Sequence, residues 1–146
     1  MYIDRYNEFC DGVALNTGAA GSYLVGNQID LLQAGRDIGH GAEGLMYLVA
    51  QVSTAAASGG SATLQLQLRS DDAAAIHVST GSLHASSAVF PVASLTAGKV
   101  LWVTPLPSTD YERYLGIVQV TGTAAFTAGN IDVFLTPTPQ RWKAHA

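Results

Sequence analysis

The segment Leu45-Met46-Tyr47-Leu48-Val49-Ala50-Gln51-Val52 decides the reading of this chain, because it is apolar on two faces at once. With the two-residue period of a strand, Leu45, Tyr47, Val49 and Gln51 share one face, and Met46, Leu48, Ala50 and Val52 share the other. A strand in a two-layer β protein gives one face to the core, so apolar residues on its other face call for a further cover. No long helical period exists in the sequence to supply it. The expectation is a β-sandwich whose outer surface is covered by a copy of itself or by a larger assembly.

Leu115-Gly116-Ile117-Val118-Gln119-Val120 repeats the pattern, with Leu115 and Ile117 on one side and Val118 and Val120 on the other. This second doubly apolar strand is expected to pair with the first. Residues 63–69 alternate most cleanly: Leu64, Leu66 and Leu68 face inward, Gln65, Gln67 and Arg69 outward. In Ile131-Asp132-Val133-Phe134-Leu135, the residues Ile131, Val133 and Leu135 suit the core, so Phe134 points the other way.

Shorter strand candidates lie at 22–25 and 29–32, separated by the turn pair Gly26-Asn27, and at 75–79, 88–92 and 99–104. Pro91 cannot donate to a ladder, which predicts an edge strand or a bulge there. About eight principal strands with regular turn signals and no helix predict an all-β, antiparallel β-sandwich of jelly-roll type. Strand order is not contained in the periodicity. The domain occupies residues 22–136. Residues 1–21, with Tyr2, Tyr6 and Phe9, read as an N-terminal arm. Residues 137–146 read as an extended tail, held open by Pro137 and Pro139 and tipped by Arg141-Trp142-Lys143.

Composition excludes several classes of function. Charged residues are 12% of the chain, against about 25% in ordinary soluble domains, so little of the surface is protected by charge. Seven scattered Lys and Arg residues and a net charge of −4 argue against a nucleic-acid partner. No apolar run reaches the ~18 residues of a membrane span, and Met1-Tyr2-Ile3-Asp4-Arg5 does not open a secretion signal. A lone Cys10 makes no internal disulfide and reads as a small buried hydrophobe.

Few residues offer chemistry. Gly39, Gly41 and Gly44 formally spell the dinucleotide fingerprint, but a strand follows them where the fingerprint needs a helix, so a tight connection is the better account. His40, His77, His84 and His145 form no metal-ligand spacing, although His77 and His84 are near enough to meet across a turn. Asp71-Asp72 has no ladder of further oxygen ligands, and Asp30, Asp37, Asp110, Glu112 and Asp132 are well separated in sequence. No nucleophile elbow is present. The chain is expected to be no enzyme, to hold no cofactor or metal, and to bind no small-molecule substrate.

Taken together, Arg36-Asp37-Ile38-Gly39-His40-Gly41, Leu45 to Val52, Leu64-Gln65-Leu66-Gln67-Leu68 with Asp71-Asp72-Ala73-Ala74, Glu112-Arg113-Tyr114-Leu115, and Phe126-Thr127-Ala128-Gly129 through Phe134-Leu135 resemble the capsid cement (decoration) proteins of tailed bacteriophages. The segments occur in that family's order over residues 29–140. The resemblance implies a jelly roll that sits as a homotrimer on the outside of an expanded head and clamps neighbouring major capsid subunits. It places the chain in the virion after synthesis in the host cytoplasm. On this reading Tyr111, Arg113 and Phe134 are the expected contacts between subunits. Tyr2, Tyr6, Phe9, Arg141, Trp142 and Lys143 are the expected contacts with the capsid, since aromatic and Arg side chains are the usual interface anchors. The alternative is a carbohydrate- or receptor-binding jelly roll, which would present an exposed aromatic platform with carboxylate and amide groups nearby.

Overall fold

The computed structural model describes residues 4–41 and 44–139. The expectations at Tyr2, Arg141, Trp142 and Lys143 lie outside the described residues. Eleven strands follow in order: β1 (Glu8–Ala14), β2 (Gly21–Asp30), β3 (His40–Gly41), β4 (Gly44–Leu45), β5 (Tyr47–Ser58), β6 (Thr63–Asp71), β7 (Ser82–Ser86), β8 (Phe90–Pro91), β9 (Val100–Pro105), β10 (Tyr114–Gly122) and β11 (Phe126–Thr136). The helical content among the described residues is two short 3-10 turns, Arg5–Asn7 and Val92–Ser94.

One antiparallel sheet has the order β1-β11-β5-β9, and the other has β2-β10-β6-β7, with β8 pairing onto β6. Leaving aside the two-residue strands β3, β4 and β8, consecutive strands 1 to 8 fall in the orders 1-8-3-6 and 2-7-4-5. That is the double Greek key of a jelly roll. The fold class expected from the periodicity is therefore the one observed.

The core is built from the alternations that predicted it. Leu48, Ala50 and Val52 of β5, Leu64, Leu66 and Leu68 of β6, Leu115 and Ile117 of β10, and Ile131, Val133 and Leu135 of β11 join one buried cluster. Each leucine, isoleucine or valine among them contributes roughly 1.5–3 kcal/mol on removal from water. Phe134 is buried outside that cluster, on the opposite face of its strand, as expected.

Four expectations are corrected. The two doubly apolar strands do not pair: β5 and β10 are interior strands of opposite sheets. Residues 22–32 are not two strands around a turn, because Gly26 at φ +74 forms a bulge inside the single strand β2. The strand expected at 75–79 lies at Ser82–Ser86, and Ile76 is instead a buried plug, its methyl packed beside Gly116 of β10.

The fourth concerns the expected N-terminal arm, where residues 8–14 are the edge strand β1, hydrogen-bonded to β11. Two side chains of β11 hold its bulge. Asp132 accepts the Gly12 N–H (2.7 Å), and the Asn130 amide donates to the Gly12 carbonyl (2.8 Å). Gln119, fully buried, fixes the passage to β2. Its oxygen accepts the Asn16 N–H (2.9 Å), and its amide donates to the Asn16 carbonyl (3.1 Å) and the Thr121 hydroxyl (2.7 Å). A buried amide so completely bonded carries no uncompensated desolvation. Pro91 stands at the edge, as its missing donor requires.

Candidate functional site

The densest cluster of reactive side chains joins β6, β7 and the segment leading into β10. The buried Ser70 hydroxyl lies 2.7 Å from His84 Nε2, donates to Glu112 Oε2 (3.0 Å), and accepts the Glu112 N–H (3.2 Å). The His84 ring packs against Tyr111, with centroids 4.6 Å apart at 56°. The Tyr111 hydroxyl in turn donates to the Pro107 carbonyl (2.5 Å).

A serine has a single hydroxyl proton, and Glu112 receives it, so His84 must be the donor toward Ser70. In a nucleophilic pair the direction is reversed: the histidine accepts from the serine and a carboxylate orients its other nitrogen. Here the carboxylate takes the hydroxyl proton and the imidazole donates to the hydroxyl oxygen, so no base is placed to activate Ser70, which has no exposed surface. What the arrangement does is tie an edge strand to an interior one. Burial pulls the His84 pKa below its ordinary value, against the opposing pull of the Glu112 charge. Burial, and to a smaller degree the Asp37 charge, pushes the Tyr111 phenol up to about 12.

The remaining polar residues singled out in the sequence are also engaged locally. Asp71 accepts the His77 N–H (3.0 Å) and the Ala73 N–H (3.3 Å), closing the loop after β6. His77 is exposed, while His84 is turned toward Ser70 and Tyr111. Asp37 accepts the Gly39 N–H (2.9 Å) and a short hydrogen bond from the Ser108 hydroxyl. The residues 39–44 that spell the dinucleotide fingerprint include the short ribbon of β3 and β4, with a strand after them as expected. Among the described residues no three His, Cys, Asp or Glu side chains converge as a metal site, and no helix is long and apolar enough to cross a membrane.

The expected contact residues divide sharply. Tyr111, Phe134 and Phe9 are all buried within the single chain, so none has surface left to offer a partner. For Tyr111 the cause is the His84 and Pro107 contacts above. For Phe9 it is the seating of β1 over the Gly26 bulge. For Phe134 it is its place in an interior strand opposite Val49, which is equally buried. Arg113 is 45% exposed, pairs with Asp30 through Nε and Nη2 at 2.9 Å each, and lies over the Tyr114 ring. Tyr6 is 85% exposed. Trp102 packs against the core and forms no aromatic platform.

The sequence reading missed that the outer faces of the central strands are covered within one chain: Val49, Phe134 and Val118 are all buried without a companion molecule. It also missed the Ser70, His84, Glu112 cluster, whose members are 14 and 42 residues apart and meet only through strand register. The model of the family described as Bbp16 matches residues 9–135, from the second residue of β1 to the penultimate residue of β11. No curated protein matches the chain.

Proposed function

We propose that this chain, which belongs to the Bbp16 family, is a structural virion protein. It binds the outer surface of an icosahedral phage head as a homotrimer and stabilises contacts between major capsid subunits. The observation that carries this reading is where the resemblance to cement proteins falls: its segments cover most of β11 and the first half of β5 in one sheet, and most of β6 and the entry into β10 in the other, all interior strands of their layers. Composition supports it. A surface with few charges sheds water at modest cost when pressed against another protein, and a function by contact asks for no catalytic group.

Attachment in this reading comes from several modest contacts made at once, since linked feet raise avidity without any one strong interface. Arg113 serves between subunits. Tyr6 serves toward the capsid, together with Tyr2, Arg141, Trp142 and Lys143 from the two ends of the chain. The test is direct. Light scattering of the purified protein should give three times the 15.2 kDa of one chain. Images of heads with and without it should differ by density on the outer surface. A monomer at micromolar concentration, or heads that never acquire that density, would overturn the proposal.

A further inference from the structure

Strand β7 is fastened to β6 at both ends and by one side chain between them. Before it, Arg69 Nη1 donates to the Gly81 carbonyl (2.7 Å). After it, the Ser87 N–H donates to the Leu66 carbonyl (2.8 Å), and the Ser87 hydroxyl accepts the Leu66 N–H (3.0 Å). The ladder slips in the middle: Leu68 pairs with Ala85 but Arg69 pairs with Leu83, so His84 is the extra residue of a bulge. That bulge turns the imidazole onto Ser70 and Tyr111. Otherwise β7 invests little in the fold. None of its residues is buried, and of its apolar side chains Ala85 alone packs against the core. By contrast, β6 stays paired with β10 at nine positions, from Asp71 to Thr63. An edge element with so few buried contacts opens without carrying the rest of the molecule with it.

The pocket around His84 accepts the neutral ring and has no place for a second proton. The Ser70 hydroxyl offers one proton and two lone pairs, and all three are used: Glu112 Oε2 takes the proton, while the Glu112 N–H and His84 Nε2 donate to the oxygen. The proton of the neutral ring therefore sits on Nε2, and Nδ1 makes no hydrogen bond among the described residues. The groups around the ring do not change this. Glu112 attracts a charged imidazole, but burial opposes the charge more strongly. Tyr111 is a neutral phenol, its own ionisation resisted by burial and by Asp37. On β6, Arg69 is committed to Gln67 and Gly81, and Asp71 to the N–H groups of His77 and Ala73. His77 lies exposed in the loop before β7.

We propose that His84 is a latch that acid opens: on gaining a proton it lets β7 leave the edge of β6 while the remainder of the sandwich stays paired. The sign follows from linkage. Once β7 is free, the imidazole is in water and takes its proton near pH 6.5, whereas the closed site holds it below that value. Closure is therefore complete above about pH 6.5 and weakens as pH falls through it toward the lower closed value, by up to about tenfold in the opening equilibrium for each pH unit. An open edge leaves the N–H and C=O groups of Arg69 and Ser70 on the β7 side without strand partners.

The experiment is amide hydrogen exchange on the full chain between about pH 8 and about pH 5, each rate divided by that of the unstructured amide at the same pH. The expected result is that protection of residues 82–86 falls by up to about tenfold per unit below pH 6.5 while that of β5 and β11 holds, and that His84→Gln, which keeps a donor for Ser70 and does not titrate, removes the slope. Protection of β7 that follows β5 and β11 at every pH would overturn the proposal, as would an acid slope that survives in His84→Gln. Should that variant not fold, the wild type decides alone: an NMR titration of the His84 ring must share its midpoint with the loss of β7 protection, and separate midpoints refute the latch.

Discussion

Replacing Gly26 by Ala tests whether β1 is built into the sandwich, and hence whether Phe9 belongs to the core or to a free arm. Gly26 has φ +74, and a Cβ built there would overlap the carbonyl oxygen of Phe9 and Sγ of Cys10. Two costs add: ~1–2 kcal/mol for a left-handed alanine, and ~1–3 kcal/mol for displacing a backbone that cannot rotate out of the way. The expected loss is about 2–5 kcal/mol, a large part of the ~5–15 kcal/mol that holds a domain together. Gly12 is the internal control. It has φ +60, but a Cβ there meets nothing within 4 Å, so Gly12→Ala carries only the first cost, ~1–2 kcal/mol. Urea unfolding of both variants separates the terms, provided the denaturant slope is unchanged. Equal losses in the two variants would mean that β1 is not seated against β2, and the reasoning about Phe9 would fail.

Ser70→Ala removes an acceptor for the Glu112 N–H and His84 and a donor to the Glu112 carboxylate, and should cost about 1–3 kcal/mol in unfolding experiments; a neutral effect would show that the network is idle. His84 is held below the ordinary histidine pKa near 6.5, chiefly by burial, so the unfolded chain takes up its proton first as pH falls. Its contribution to stability is complete above that value and declines as pH drops through it toward the lower folded pKa. His84→Gln should lose that part of the acid sensitivity, and an NMR titration giving His84 a raised pKa would contradict the assignment. The Cys10 thiol is pushed up to about 12 by burial, then by the Asp132 and Glu8 charges, so the native protein should resist alkylation at pH 8 and react once unfolded. Labelling at the rate of a free thiol would refute its burial.

Period two was legible wherever a strand has two unlike neighbours and no bulge. Leu64, Leu66 and Leu68 announced β6, and the split between Phe134 and Ile131, Val133, Leu135 was correct for β11 because one face of that strand had to meet the core. Bulges erased the same signal elsewhere. Register shifts on either side of Cys10 turn Phe9 and Cys10 inward together, so residues 8–14 lost their alternation and passed for an arm. β7 carries Ser82, Leu83, His84, Ala85 and Ser86 on a half-exposed edge, and such an edge needs no alternation. Ile76 offered an apolar signal for a different reason, as a plug against Gly116. The Ser70, Glu112, His84 cluster depends on the pairing of Ser70 with Ser82 and Leu115, a register that no local pattern contains.

The covering of Val49, Phe134 and Val118 within one chain moves the burden of assembly away from the sheet faces. Among the described residues, the large apolar side chains that remain exposed are Tyr6 near the start, Leu32 after β2, Leu83 on β7, Val89 before β8, and Val103 on β9, each on a different element. Single exposed hydrophobes of this kind form no continuous patch, so no one of them supports a firm pairwise interface. Attachment of the proposed trimer therefore multiplies small terms. If each subunit contributes one contact worth about tenfold, three linked subunits reach on the order of a thousandfold when geometry allows all three to engage. By the same arithmetic, a substitution that weakens one contact is repeated three times in the assembly. That repetition makes the head, rather than the isolated subunit, the sensitive place to measure its loss.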